Sequence, residues 1–95
     1  MKELKNYLSP EQVQKYKLIR YGIEDDAQIS LVDLLEYVPN YIGEFKFVLE
    51  RNNDGHWSCI YRHPEVLNEL VEFSRVHAID AVFDTLLWAK ENKRC

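Results

Sequence analysis

The run Glu44-Phe45-Lys46-Phe47-Val48-Leu49-Glu50-Arg51-Asn52-Asn53-Asp54-Gly55-His56-Trp57-Ser58-Cys59-Ile60-Tyr61-Arg62 decides the fold. Both of its flanks alternate with the period of two that half-buried strands show. Phe45, Phe47 and Leu49 share one face of the first flank; Trp57, Cys59 and Tyr61 share one face of the second. The turn length follows from this pattern, because a one-residue slip sends every side chain to the opposite face. A two-residue loop at Asp54-Gly55 pairs Leu49 with Ile60, and a four-residue loop pairs it with Ser58; both mismatch the apolar sets. A three-residue loop at Asn53-Asp54-Gly55 pairs Phe47 with Tyr61, Leu49 with Cys59 and Arg51 with Trp57. It also puts Gly55 where a type I turn with a G1 bulge needs a left-handed residue. The expectation is a hairpin over 44–51 and 56–62 with one apolar face. Burial of that face is worth roughly 1.5–3 kcal/mol per large side chain. An isolated hairpin is marginal in water, so other segments must cover it.

The remaining segments read mostly as helix. Leu8-Ser9-Pro10-Glu11-Gln12-Val13 carries a capping serine, a proline at the first helical position, a capping-box glutamine and a Leu8/Val13 staple. This helix is expected to run to about Tyr21 and stop at Gly22. Glu24-Asp25-Asp26 reads as a solvated connector. Ser30 and Asp33 repeat the start signal, with Ile29 and Leu34 as the staple, and Pro39 ends this second helix near Tyr37. Leu31, Leu34, Leu35 and Val38 form its apolar face. After Arg62 two readings stand. Glu65 to Leu70 has helical spacing behind Pro64, whereas Glu69 to Phe73 also reads as a third strand, with Ser74 then capping the last helix. That helix, about Arg75 to Asn92, carries the apolar stripe Val76, Ile79, Val82, Phe83, Leu86 and Leu87, the expected lid for the hairpin. The fold class is therefore α+β: a small antiparallel sheet against a long C-terminal helix, with two short N-terminal helices, in one domain spanning 1–95.

Composition bounds the function. The 95 residues are 46% apolar with two Trp, six Tyr and four Phe, enough for a single packed core. Sixteen acidic against twelve basic residues give a net charge of −4, which disfavours nucleic acid as a partner. No apolar run reaches membrane-spanning length, and the opening Met-Lys-Glu-Leu-Lys lacks a signal-peptide core. Cys59 falls mid-strand and Cys95 is the last residue, so reduced thiols in the cytoplasm are the simpler expectation than a disulfide. Gly22, Gly43 and Gly55 each have a turn role and none forms a phosphate-binding loop. His56, Cys59, His63 and His77 lack zinc-ligand spacing, and no metal or cofactor is expected. A Cys59–His pair needs an exposed thiolate, which a mid-strand cysteine beneath a helix does not provide. Asp80 and Asp84 lie one helical turn apart, a spacing open to acid–base work but equally that of a solvated face.

On the last helix, His77, Asp80, Asp84, Trp88 and Glu91 lie opposite the apolar stripe. Trp88 thereby falls on an acidic, nominally exposed face. Either another segment covers it, or the five residues form a patch for a basic protein partner or for a second copy of the chain. The succession of two capped helices, the hairpin ending Trp57-Ser58-Cys59-Ile60-Tyr61, and the pattern Ile79-Asp80-Ala81 to Leu87-Trp88 to Glu91-Asn92 resembles small uncharacterised α+β proteins of bacterial phages, prophages and mobile elements. That resemblance implies a third strand before the last helix and brings no catalytic residues. The expected function is a non-enzymatic protein–protein interaction or regulatory domain. The rival is a small-ligand binder or enzyme using a pocket near Cys59, Tyr61 and His77. An acidic mimic of DNA is disfavoured, because basic residues dilute the acids.

Overall fold

The computed structural model describes residues 5–92; Lys93 and Cys95 lie outside the described residues. The elements follow in the order α1 (Pro10–Ile19), α2 (Leu31–Leu35), β1 (Tyr41–Ile42), β2 (Phe45–Arg51), β3 (Trp57–Arg62), β4 (Glu69–Arg75) and α3 (Ala78–Glu91). The strands form one antiparallel sheet in the order β1-β2-β3-β4. The hairpin has the three-residue register: Phe47 faces Tyr61, Leu49 faces Cys59 and Arg51 faces Trp57. The Asn52 N–H donates to the His56 carbonyl at 2.7 Å and the Gly55 N–H to the Asn52 carbonyl at 3.0 Å. Gly55 closes the turn at φ +87°, a backbone state that costs an L side chain about 1–2 kcal/mol.

Two strands lie beyond the hairpin. On one side, Pro39-Asn40 leads into the short β1, where Ile42 pairs with Phe45 across a turn in which Gly43 has φ +60°. On the other, Glu69–Arg75 is strand, and the helical alternative for Glu65 to Leu70 is corrected. Residues 63–68 instead fold into a compact loop. The His63 N–H donates to the Asn68 carbonyl at 3.0 Å, and the Asn68 N–H to the Val66 carbonyl at 2.8 Å. Of the apparent helical stripe, Val66 and Leu67 are exposed, whereas Leu70 and Val71 pack on the core. Val71 faces Tyr61 and Phe73 faces Cys59, so β4 extends the apolar face of the hairpin; the register shifts between Tyr61 and Arg62. Ser74 belongs to this strand and does not cap the last helix, which starts at Ala78.

Both N-terminal helices have the expected caps. The Ser9 hydroxyl accepts from the Gln12 N–H, and the Gln12 side chain accepts from the Ser9 N–H. Ser30 and Asp33 repeat the arrangement. Both staples are buried: Leu8 with Val13, and Ile29 with Leu34. α1 ends at Ile19, two residues before Tyr21; Arg20 leaves helical geometry, stacks on the Tyr37 ring and donates to the Tyr16 hydroxyl. The molecule is a plate of 42 × 37 × 17 Å, two layers thick, with the helices on the Cys59/Tyr61 face of the sheet. The other face is polar apart from Val48, Ile60 and the exposed Tyr41; Arg62 bridges Glu50 and Glu69 across it. Among the described residues no helix is long and apolar enough to cross a membrane.

Candidate functional site

α3 is buried on two sides, and this rearranges the residues that its sequence pattern set on an outer face. Ala81, Thr85 and Ala89 are fully buried along with Ile79, Val82, Phe83 and Leu86. The small-residue side meets the sheet. The Cys59 thiol lies within hydrogen-bonding reach of Thr85, whose hydroxyl donates back to the Ala81 carbonyl at 2.8 Å. Trp88, on the same side, packs on Tyr61 with ring centroids 6.2 Å apart. Within the large-residue stripe, Phe83 packs against Tyr16 of α1 at 6.4 Å. The contact with the sheet is therefore not confined to the expected stripe, and the exposed position of Trp88 is corrected: the segment that covers Trp88 is the sheet.

The two aspartates are engaged within the fold. Asp80 accepts from Lys5 Nζ at 2.6 Å and from Gln12 Nε2 at 2.8 Å. Burial raises its carboxyl, but these two donors together outweigh burial and hold it below the ordinary aspartate range. Asp84 pairs with Arg75 Nε at 3.1 Å. Its own burial dominates, with Asp80 adding like-charge repulsion, so its carboxyl is pushed up despite Arg75. Glu91 is exposed and His77 is half-buried at the N-cap of α3, where its side chain makes no capping bond. Of the five, Asp80 and Asp84 are thus tied to other segments by ion pairs and Trp88 by its ring contact with Tyr61.

The rival pocket near Cys59, Tyr61 and His77 also separates into parts. Cys59 and Tyr61 are fully buried, and the Tyr61 hydroxyl donates to the Pro39 carbonyl at 2.7 Å. Burial pushes the Cys59 thiol up to about 11, which keeps it from acting as a thiolate nucleophile at neutral pH. His77 instead lines a different concavity, a cleft of about 850 Å³ where α3 begins. One wall is Lys5–Tyr7 with Ser30–Val32, joined by the Tyr7/Ser30 bridge and by the Leu8 N–H donating to the Ile29 carbonyl at 2.9 Å. The facing wall is the turn end of the hairpin, with Leu49, Arg51, His56 and Trp57; Val76 to Ile79 complete the lining. Comparison with protein-family models, with curated proteins and with solved structures finds no match.

The lining of the cleft has a distinct chemistry. Tyr7, Val32 and Val76 are apolar yet 47%, 65% and 42% exposed. Its charged residues are Lys5, Arg51 and Asp54. Lys5 is held by Asp80. Asp54 accepts from the His56 N–H at 2.9 Å and lies 3.2 Å from His56 Nδ1. That ring nitrogen is buried, and the contact is too poorly aligned to be a hydrogen bond. Arg51 lies over the Trp57 ring at 5.9 Å and has no carboxylate partner among the described residues. A smaller polar hollow of about 280 Å³ lies beside Asp80 and Asp84, already bridged by Lys5, Gln12 and Arg75. Sequence reasoning named His77, weighed His56 only as a metal ligand, and did not single out Tyr7, Val32 or Arg51 for this cleft. One signal was available: Val32 lies off the Leu31/Leu34/Leu35/Val38 stripe of its helix and so had no core role.

Proposed function

We propose that this protein is a non-catalytic binding domain that takes a segment of a partner protein in the cleft between the hairpin turn and the start of α3. The observation that carries the reading is the exposed apolar rim of Tyr7, Val32 and Val76 around the cleft of about 850 Å³. Apolar rims of this kind are characteristic of interaction sites. The acidic α3 patch gives no support to a basic partner, because Asp80 and Asp84 already have cationic partners within the fold. Cytoplasmic residence belongs to the same reading, since the buried Cys59 is a free thiol.

A photo-crosslinking residue placed at Val32 or Val76 in the native cells tests this. Adducts to another protein from these positions, and not from Val48 on the polar sheet face, are the expected result. Equal adducts from Val48, or none from the cleft, reject it. A small apolar ligand is the second reading, favoured by a volume within the range of roughly 300–1,000 Å³ that such ligands occupy. It predicts cleft crosslinks to a small molecule and not to protein.

A further inference from the structure

Charge within the cleft says more about the occupant than the net charge of the chain does. The protein carries −4 overall, so its long-range field repels acidic partners. The cleft runs against that field. Its lining holds Lys5 and Arg51 against Asp54, together with the imidazoles of His56 and His77. Asp54 is engaged by His56, and Lys5 by Asp80. Arg51 is the cleft cation that no carboxylate among the described residues claims. Arg62 bridges Glu50 and Glu69, and Arg75 pairs with Asp84, so Arg51 stands apart from the other sheet arginines.

Resting on the reading of the cleft as a docking surface, we infer that the partner segment is acidic, with a large apolar side chain beside a carboxylate. The apolar side chain meets Val32, Val76 and Trp57. The carboxylate takes the Arg51 guanidinium, which lies 5.9 Å from the Trp57 ring centroid and whose planar fork can make two parallel bonds to a carboxylate. A basic segment would meet an unneutralised Arg51 and find only the engaged Asp54 as counter-charge.

The test selects random peptides displayed on phage against the full chain, measures the affinity of the enriched sequences and maps them by amide chemical shifts. Enriched peptides carry Asp or Glu next to Phe, Trp or Leu and shift the resonances of Val32, Trp57 and Val76. Arg51→Glu weakens them roughly tenfold or more, since a hydrogen bond to a charged group is lost and a repulsion added. Arg51→Gln, which keeps a neutral side chain on the same strand end, weakens them less, and rising salt weakens the wild type. Amide spectra of both variants report whether the fold is retained. Peptides that map to the cleft but are neutral or basic, or are indifferent to Arg51→Glu and Arg51→Gln, overturn the acidic partner and leave the docking surface standing. Failure to enrich any peptide that maps to the cleft overturns the docking surface itself.

Discussion

The Trp88 ring lies 6.2 Å from the Tyr61 ring, centroid to centroid, with 34° between their planes. This contact joins the C-terminal half of α3 to β3, one of the two interior strands of the sheet. It therefore fixes which side of the helix faces the sheet. Trp88→Ala is expected to destabilise the domain by about 2–4 kcal/mol, below the full cost for a completely buried tryptophan because Trp88 is only half-buried. Urea unfolding measures it. A change within about 0.5 kcal/mol, the range of ordinary surface substitutions, would return Trp88 to the role of an exposed interface residue.

The hairpin was legible in the sequence because strand parity and a turn glycine constrain register together: a single slip would have placed Ser58 or Ile60 among the apolar side chains. The rotation of α3 was not. A stripe argument assumes one buried face and weights large side chains, so it selected Ile79, Val82, Phe83 and Leu86 as the sheet face. The sheet also takes Thr85 and Trp88, while Phe83 of the large stripe packs on Tyr16 of α1. The two-residue β1 was also beyond reach, since Tyr41-Ile42 is too short to show a period. The cleft draws on four separate segments, and no local pattern brings Tyr7, Val32, Arg51 and Val76 together.

Gly55 offers a separable test of the hairpin register. A Cβ added there meets no atom within 4 Å, so the cost of Gly55→Ala is purely that of the φ +87° backbone. The expected loss is about 1–2 kcal/mol. Gly55→Asn is expected to lose less, because asparagine tolerates the left-handed region. Equal effects for the two variants would contradict a left-handed residue at this position.

Asp80 and Asp84 are expected to act on stability with opposite signs. Asp80 titrates below the ordinary aspartate range, so its contribution is present above the unfolded value of 3.8 and is lost as pH falls through its folded value. Asp84 titrates above that value, so the fold prefers it protonated and stability from this group declines as pH rises through its folded value. Asp80→Asn should therefore cost about 1–3 kcal/mol at pH 7, the scale of a hydrogen bond to a charged group, with the deficit shrinking in acid. Asp84→Asn should change stability by only about 0–1 kcal/mol at pH 7, given its partly exposed pair with Arg75. Unfolding free energies of both variants between pH 3 and pH 7 check the two signs.

Cys59 reports on the seal between sheet and α3. With its side chain fully buried and its thiol pushed up to about 11, alkylation in the native state should proceed only through opening of the structure. Its labelling should accelerate in parallel with global unfolding as urea is added. Fast labelling at neutral pH without urea would mean that α3 lifts from β3 locally.

His63 anchors the loop that takes the place of the expected helix. Its Nδ1 accepts from the Glu65 N–H at 3.1 Å and from the Val66 N–H at 3.3 Å, while Nε2 lies 3.0 Å from a Glu44 carboxylate oxygen. A nitrogen that accepts two N–H groups carries no proton, so the proton resides on Nε2 and points to Glu44. The ring also stands edge-on to Phe45 at 5.8 Å, which fixes its plane. His63→Ala removes the acceptor for both amides and should cost about 1–2 kcal/mol. Because the loop leads directly into Glu69, the loss should appear as faster hydrogen exchange at Glu65, Val66 and the first residues of β4, with β2 and the first half of β3 unaffected. His63→Asn restores a side-chain acceptor and should recover part of the protection. The ring nitrogen chemical shifts give the tautomer directly: a proton found on Nδ1 at neutral pH would remove the anchor, and the strand start would then owe its position to pairing with Arg62 and to the His63 N–H bond to the Asn68 carbonyl.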